Sequence, residues 1–328
     1  MVHRPLLKRI LVPSCALLLM LGVLLLPRGE IKPRMKVALS VWPGSEALVL
    51  AHDAGLLPPG RVRLIETPWS SAVTRIFDDD VVDVAIMTLD TVLQLRSSGH
   101  KLRVLRALDE STGGDALIAR APLNGLDGLK GKRVAVDVQG TGMYLLINAL
   151  EKAGLTMQDI ETVPIIQPEI DDLFKRGKID AAVTSEPWLT QVSSEEIRII
   201  YDSTLLETPI LRLLVASESA CLNFKAELPV MMRAITDMTV RVRSHADFEG
   251  MASILRRENV SLAGFVKGLE RWQPLDAQAN AELLNGPTPK LERMAQSMEA
   301  QMLRHGLLPA RPGVAPWIDP QFLSSAWP

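Results

Sequence analysis

The stretch from Leu126 to Pro187 constrains this chain most. It opens with a polar glycine turn, Leu126 to Lys132, and passes into Arg133 to Val138, a short valine-rich run that reads as a buried strand. Gln139-Gly140-Thr141-Gly142 follows. Then Met143 to Leu155 places Leu145, Leu146, Ala149, Leu150 and Ala153 at helical spacing, with Gly154 as the stop. A second strand is expected at Glu161 to Ile166, a helix at Glu169 to Arg176, and a third strand at Asp180 to Thr184 that delivers Ser185-Glu186-Pro187-Trp188. This βαβαβ order makes an open α/β lobe whose ligands sit at the carboxyl ends of its strands. Glycines at a strand-to-helix turn leave the first helix amides approachable, and the helix dipole favours an anion there. The same residues equally suit a tight turn that binds nothing. They are not a dinucleotide fingerprint, because Leu145 stands at the third glycine position. No Walker A loop occurs in the chain.

The preceding region repeats the strand-then-helix order. Strands are expected at Lys36 to Val41, Arg61 to Glu66, Val81 to Met87 and Leu102 to Leu108. Helices are expected at Glu46 to Ala54, Ala72 to Phe77 and Thr91 to Ser97, with Asp90 as the cap of the last. Ala116 to Ala119 reads as a crossover into the second lobe. Ile197 to Asp202 closes that lobe, and Leu211 to Ala216 returns to the first. Beyond Ser217 the pattern is all helical: Leu228 to Ser244, Asp247 to Arg257, Leu262 to Leu269, Ala277 to Leu284 and Pro289 to His305. The tail from Leu307 to Pro328 reads as irregular.

Residues 1 to 35 stand apart. Arg4, Lys8 and Arg9 precede a charge-free apolar run, Ile10 to Leu26. As a helix this run spans about 25 Å, long for a signal core and slightly short for a full membrane span. No A-x-A site follows it, so it is either a signal peptide with a poor cleavage site or an uncleaved anchor, with the balance toward the anchor. Lipidation at Cys15 fits less well, because that cysteine lies early in the run. Cys221 is then the one remaining thiol, which reads as a small buried hydrophobe. A length of 328 residues suggests about two domains, and a net charge of −2 with no basic stripe excludes nucleic acid as a partner. His52, His100, His245 and His305 are scattered without metal spacing, and Asp78 to Asp80 reads as a solvated turn.

The loops after the strands share one edge of each lobe. They supply Trp42-Pro43-Gly44, Thr67-Pro68-Trp69-Ser70, Thr88, Ser111 to Asp115, Gln139 to Gly142, Gln167-Pro168 and Ser185 to Trp188. Two such edges facing each other would line a cleft with hydroxyls, backbone amides and three tryptophans, and those loops bring no Cys, Lys or His to it. That inventory orients a small ligand and is poor for nucleophilic or metal catalysis. Each tryptophan alone could simply pack loop against lobe, and Thr88 and Ser111 could cap the helices after them. Asp115 and Glu186 could serve as acid and base, cap a helix, or meet a ligand's amine.

Taken together, Lys36-Val37-Ala38-Leu39-Ser40 with Trp42-Pro43-Gly44, Val82 to Asp90, Asp109 to Leu117, Leu129 to Val136, Ala149 to Leu155, Gly177 to Thr184 and Glu186-Pro187-Trp188 resemble the periplasmic solute-binding proteins of nitrate/sulfonate/taurine-type ABC importers, the NMT1-like or SsuA/ThiY-like group. The resemblance covers residues 36 to 217. It implies a type II periplasmic-binding-protein fold, α/β, with two lobes joined by two crossings and a ligand cleft between them. Residues 36–118 and 214–328 would form one lobe and 119–213 the other. By motif position the ligand would meet Trp42, Gly44, Thr88, Ser111, Asp115, Gly140, Thr141, Gly142 and Glu186. Ser185 stands where the family often has an aromatic residue. The implied protein is a periplasmic monomer that is not an enzyme and uses no cofactor. It would bind a nitrate-, sulfonate- or taurine-like ligand, or a heterocycle like a thiamine precursor, and work with an inner-membrane permease and its ATPase. It would touch the membrane through residues 10–26 if these are uncleaved. An enzyme on the same fold, related to menaquinone-pathway or pyrimidine-precursor synthases, and a membrane-tethered ligand sensor are the alternatives.

Overall fold

Short apolar runs alternating with helices resolve into two sheets in the computed structural model, which describes residues 33–192, 194–244 and 250–327. The expected signal peptide or anchor, Ile10 to Leu26, lies outside the described residues. Among those described, no helix is long and apolar enough to cross a membrane.

The strands in chain order are β1 (Met35–Ser40), β2 (Val62–Thr67), β3 (Val84–Thr88), β4 (Leu102–Ser111), β5 (Asp115–Arg120), β6 (Arg133–Val136), β7 (Glu161–Pro164), β8 (Ala181–Ser185), β9 (Ile197–Asp202), β10 (Leu211–Ser217) and β11 (Trp272–Pro274). One sheet has the order β11-β4-β10-β3-β1-β2 and the other β7-β6-β8-β5-β9. In the first, β2, β1 and β3 run parallel, while β10 is antiparallel to β3 and to β4. In the second, β7, β6 and β8 run parallel and β5 is antiparallel to β8 and β9. Every residue of β3 is buried, as both faces are covered, and this is why its sequence is a continuous apolar run rather than an alternating one.

The chain passes between the sheets twice, at residues 112–114 and 203–210. Ala116 to Ala119, read from sequence as a crossover, is therefore the interior of β5, paired with β8 and β9. The parallel βα units match the reading closely: helices run over Glu46–Asp53, Ser70–Asp78, Leu89–Ser97, Gly142–Lys152 and Ile170–Lys175. Helix 89–97 begins two residues before the expected start, so Asp90 sits in its first turn and is not its cap.

The region after Ser217 is not all helical. Helices cover Glu218–Asn223, Glu227–Ser244, Met251–Glu258, Leu262–Leu269, Ala277–Leu284 and Lys290–Arg304, but Trp272–Pro274 forms β11 and extends the first sheet beside β4. Helix 227–244 packs on helix 46–53. Asn280, wholly buried, ties helix 277–284 to β4 by bonding both the amide and the carbonyl of Ala107. This C-terminal region carries a side chain, Arg271, that reaches the second sheet.

Candidate ligand cavity

Where the carboxyl ends of β1 and β3 meet those of β6 and β8, the two sheets enclose a cavity of about 40 Å³. Trp42, Thr88, Asp115, Asp137, Thr141, Trp188 and Arg212 line it, with Gly140 and Gly142 at its floor. A volume of this size holds a ligand of few heavy atoms or a small group of waters.

Arg212 is the one cation among the described lining residues. It projects from β10 and is 8% exposed. The antiparallel register sets it opposite Thr88 on one side and Asp109 on the other. Its Nη2 donates to Asp115 Oδ2 at 3.2 Å, and Nη1 lies 3.8 Å from Asp109 Oδ1. Its guanidinium lies 3.2 Å from the centre of the Trp42 ring, a cation–π contact out of water. Trp42 in turn donates Nε1–H to Asp109 at 3.1 Å. Asp109 is wholly buried, and that burial pushes its carboxyl up to about 6, with the Arg212 charge only partly offsetting it. Nη1 of Arg212 makes no hydrogen bond, so part of its donor set remains open.

The facing edge is built differently. Asp137 follows β6 directly. Its Oδ1 accepts the Gln139 amide at 3.2 Å, while Oδ2 is buried without a partner. A Cβ on Gly140 would lie 2.9 Å from that Oδ2 and 3.3 Å from Ser70 Oγ, so glycine is needed there for the carboxylate and helix 70–78 to approach. Thr141 bonds Thr88 at 2.6 Å through their hydroxyls, a contact across the two edges. Below them lies Asp90, with neither carboxylate oxygen hydrogen-bonded. Burial pushes its carboxyl up to about 6, and the nearby Thr88 hydroxyl offsets this only in part.

The residues expected at the ligand thus separate. Trp42, Thr88, Asp115, Gly140, Thr141 and Gly142 converge on the cavity. Trp42 does so edge-on, because Arg212 covers one face and Gly114 packs close to the ring, where an added Cβ would be 2.6 Å from it. Gly142 begins helix 142–152, and its missing side chain leaves room for Val136 and Val183, each 3.2 Å from an added Cβ, rather than for a ligand alone. Gly44, Ser111 and Glu186 do not line the cavity. Gly44 lets Asp109 and Trp272 approach the backbone. Ser111 accepts the Asp115 amide at 3.0 Å and bonds Ser203, so it joins the two crossings and caps no helix. Glu186 is 1% exposed; it accepts from Thr190 and from Arg271 Nη1 at 2.5 Å, which clamps the C-terminal region to the second sheet. Thr88 is the residue before helix 89–97, yet its hydroxyl makes no cap bond.

Sequence reasoning missed Arg212 and Asp137. Each carried a visible mark: a lone charge inside an apolar run, Leu211-Arg212-Leu213-Leu214-Val215 and Val134-Ala135-Val136-Asp137-Val138. A buried ionisable residue requires a partner, and where the partner is absent from the sequence neighbourhood the fold must bring one.

The profile of the NMT1-like family matches residues 29–256. Similar solved structures include the alkanesulfonate-binding protein SsuA from Xanthomonas axonopodis pv. citri bound to MOPS, 18% identical, with a TM-score of 0.70 over 87% of this chain and 98% of that one. The periplasmic aliphatic sulphonate binding protein SsuA from Escherichia coli is 17% identical, with a TM-score of 0.67 over 85% and 95%. The periplasmic nitrate-binding protein NrtA from Synechocystis PCC 6803 is 12% identical, with a TM-score of 0.68 over 90% and 88%. These likenesses establish the two-lobed fold of periplasmic binding proteins. No curated protein matches this sequence.

Proposed function

This chain belongs to the NMT1-like family, and from that premise we propose that it is the extracytoplasmic solute-binding component of an ABC importer. It holds a small polar ligand unchanged between two lobes, one built on each sheet and joined by the crossings at 112–114 and 203–210, which close on it for delivery to a permease and its ATPase. The observation that carries this reading is the enclosed cavity itself. It has charged and hydroxyl groups from both sheets, and Thr88 and Thr141 meet there from opposite edges. Such a site binds and releases by moving two edges apart. Its described lining holds no Cys, His or Lys, so nucleophile sets built on a thiol, an imidazole base or a Schiff-base amine have no counterpart there.

The neighbouring structures named for sulfonate and nitrate support a nitrate-, sulfonate- or taurine-like solute, and the sequence resemblance adds a thiamine-precursor-like heterocycle. The cavity volume favours the smaller of these. Native mass spectrometry of full-length protein purified without added ligand tests the reading. A stoichiometric small molecule that is recovered intact supports it. Turnover of that molecule by the purified chain would replace it with the enzyme alternative. Retention of the protein in membranes after alkaline extraction would show that Ile10 to Leu26 holds it at the inner membrane, and a mature N-terminus near Arg28 would show release.

A further inference from the structure

Oxyanion binding calls for a site of positive potential. Here the charge around the cavity runs the other way. Arg212 supplies the single positive charge among the described lining residues, while Asp115 and Asp137 line the cavity and Asp109 and Asp90 lie directly behind it. Arg212 is already committed to Asp115 and Asp109, so its charge is spent within the protein. Asp137 is the opposite case. It is 8% exposed, one oxygen is satisfied by the Gln139 amide, and the other is buried with no hydrogen bond. No described Lys, Arg or His lies within ion-pair distance of it. A buried carboxylate oxygen without a donor costs free energy in the empty protein, and a ligand that brings a charged N–H there recovers it.

We propose that Asp137 is the specificity-determining residue of the cavity and that the ligand carries a protonated amine or amidinium which it seats on Asp137 Oδ2. This rests on the solute-binding reading above and narrows its ligand class. Gly140 is part of the device: any side chain there would crowd Oδ2 and close the approach. The open Nη1–H of Arg212 can donate to an acidic oxygen at the far end of the ligand, but the net negative surroundings mean that a bare oxyanion gains little. The cavity therefore selects the amine-bearing members of a set of small polar solutes and rejects simple nitrate or alkanesulfonate.

Two matched pairs of probes that differ only at the nitrogen, and one small amine set against two bare oxyanions, provide the test. Full-length protein is titrated calorimetrically with taurine against isethionate, β-alanine against 3-hydroxypropanoate, and methylammonium against nitrate and methanesulfonate. The amine is expected to bind at least tenfold more tightly than its hydroxyl counterpart in the pair that fits. Asp137→Asn keeps the Oδ1 acceptor for the Gln139 amide, and it should melt at or above the parent's temperature while losing that tenfold preference. Equal affinity within every pair, tighter binding of nitrate or methanesulfonate, or an undiminished preference in Asp137→Asn would overturn the assignment and leave solute binding intact. No binding by any probe, together with no copurifying molecule, would overturn both. A copurifying ligand without a basic nitrogen would overturn the assignment alone.

Discussion

On the edge supplied by the six-stranded sheet, Arg212 is stacked on Trp42 and within ion-pair distance of Asp109, which itself accepts from Trp42, and it reaches across to Asp115 at the start of β5. On the edge supplied by the five-stranded sheet, Asp137 Oδ2 has no partner and Gly140 stands bare beside it. Both edges are buried, and both bring charge into a low-dielectric site. The first is a closed network in which the polar groups mainly answer one another, and so it can hold its shape with no ligand present. The second is short of one donor, and so its polar groups are completed from outside. In this molecule pre-organisation and recognition reside on opposite walls of one cavity, and the difference predicts which substitutions damage folding and which damage binding.

The network edge breaks hardest at its centre. Arg212→Met removes the one cation and leaves Asp109 and Asp115 buried beside each other, so an unfolding free energy loss of about 3–5 kcal/mol is expected. Urea unfolding of the purified protein measures it. A loss below the range typical of exposed ion pairs, about 1 kcal/mol or less, would show that the network is not the scaffold argued here.

The two glycines sharpen the contrast within a single turn. Gly142 faces Val136 and Val183, and Gly140 faces Asp137 and Ser70. Gly142→Val should therefore overpack helix 142–152 against β6 and β8 and cost about 1–3 kcal/mol of stability. Gly140→Ala should act mainly on the Asp137 approach, so its loss should be seen in ligand affinity with a smaller change in melting. Equal damage to stability from both would erase the distinction between a packing glycine and a site glycine.

These assignments show what the sequence can and cannot carry. The βα units were legible because β3 is buried throughout and β1, β6 and β8 are buried over their central residues. Their central residues, Val37 to Leu39, Val84 to Met87, Val134 to Val136 and Ala181 to Val183, form short apolar runs, and Gly or hydroxyl residues stand close after each. Trp272 to Pro274 was not legible as β11, since three residues have no period, and its pairing with β4 depends on contacts far apart in sequence. Gly140 and Thr141 were read as ligand-facing from a strand-to-helix turn, which is local chemistry, and both line the cavity. Arg212 was passed over because its role comes from antiparallel register with β3 and β4, which no local pattern reveals. Glu186 shows the same limit in reverse: its position in the chain points to the cleft, while its partner Arg271 comes from the C-terminal region and the cavity lining does not include it.

Asp90 tests whether the base of the cavity belongs to the satisfied or the unsatisfied wall. Its folded carboxyl is raised from 3.8 to about 6 by burial. Between those values the native state binds more protons than the unfolded chain, so stability must fall as pH rises through that window and stay lower above it. Asp90→Asn carries no charge to bury. It should gain about 1–3 kcal/mol at pH 7 and show little difference from the parent below the ordinary carboxylate value. Asp109 shifts in the same direction, so the variant should flatten only part of the pH profile. A variant less stable than the parent at pH 7 would mean that the Asp90 charge is used, and would move this residue to the network side.

The smallest effect concerns the bond that joins the walls. Thr88 and Thr141 are both buried, and their hydroxyls meet at 2.6 Å from opposite sheets. Thr88→Val keeps the shape of the side chain but leaves the Thr141 hydroxyl without its partner, so about 0.5–1.5 kcal/mol of stability should be lost. Thr141→Val should cost a similar amount for the reciprocal reason. Removing both hydroxyls removes both unmet groups, and apolar replacement of a bonded pair by groups of the same shape can be close to neutral. The double variant should therefore be more stable than the sum of the single losses implies, with a coupling of at least about 0.5 kcal/mol in a double-mutant cycle. Additive losses would show that the two edges merely lie near each other. A coupling would show that they are latched, and that opening the cavity to a ligand begins by breaking this bond.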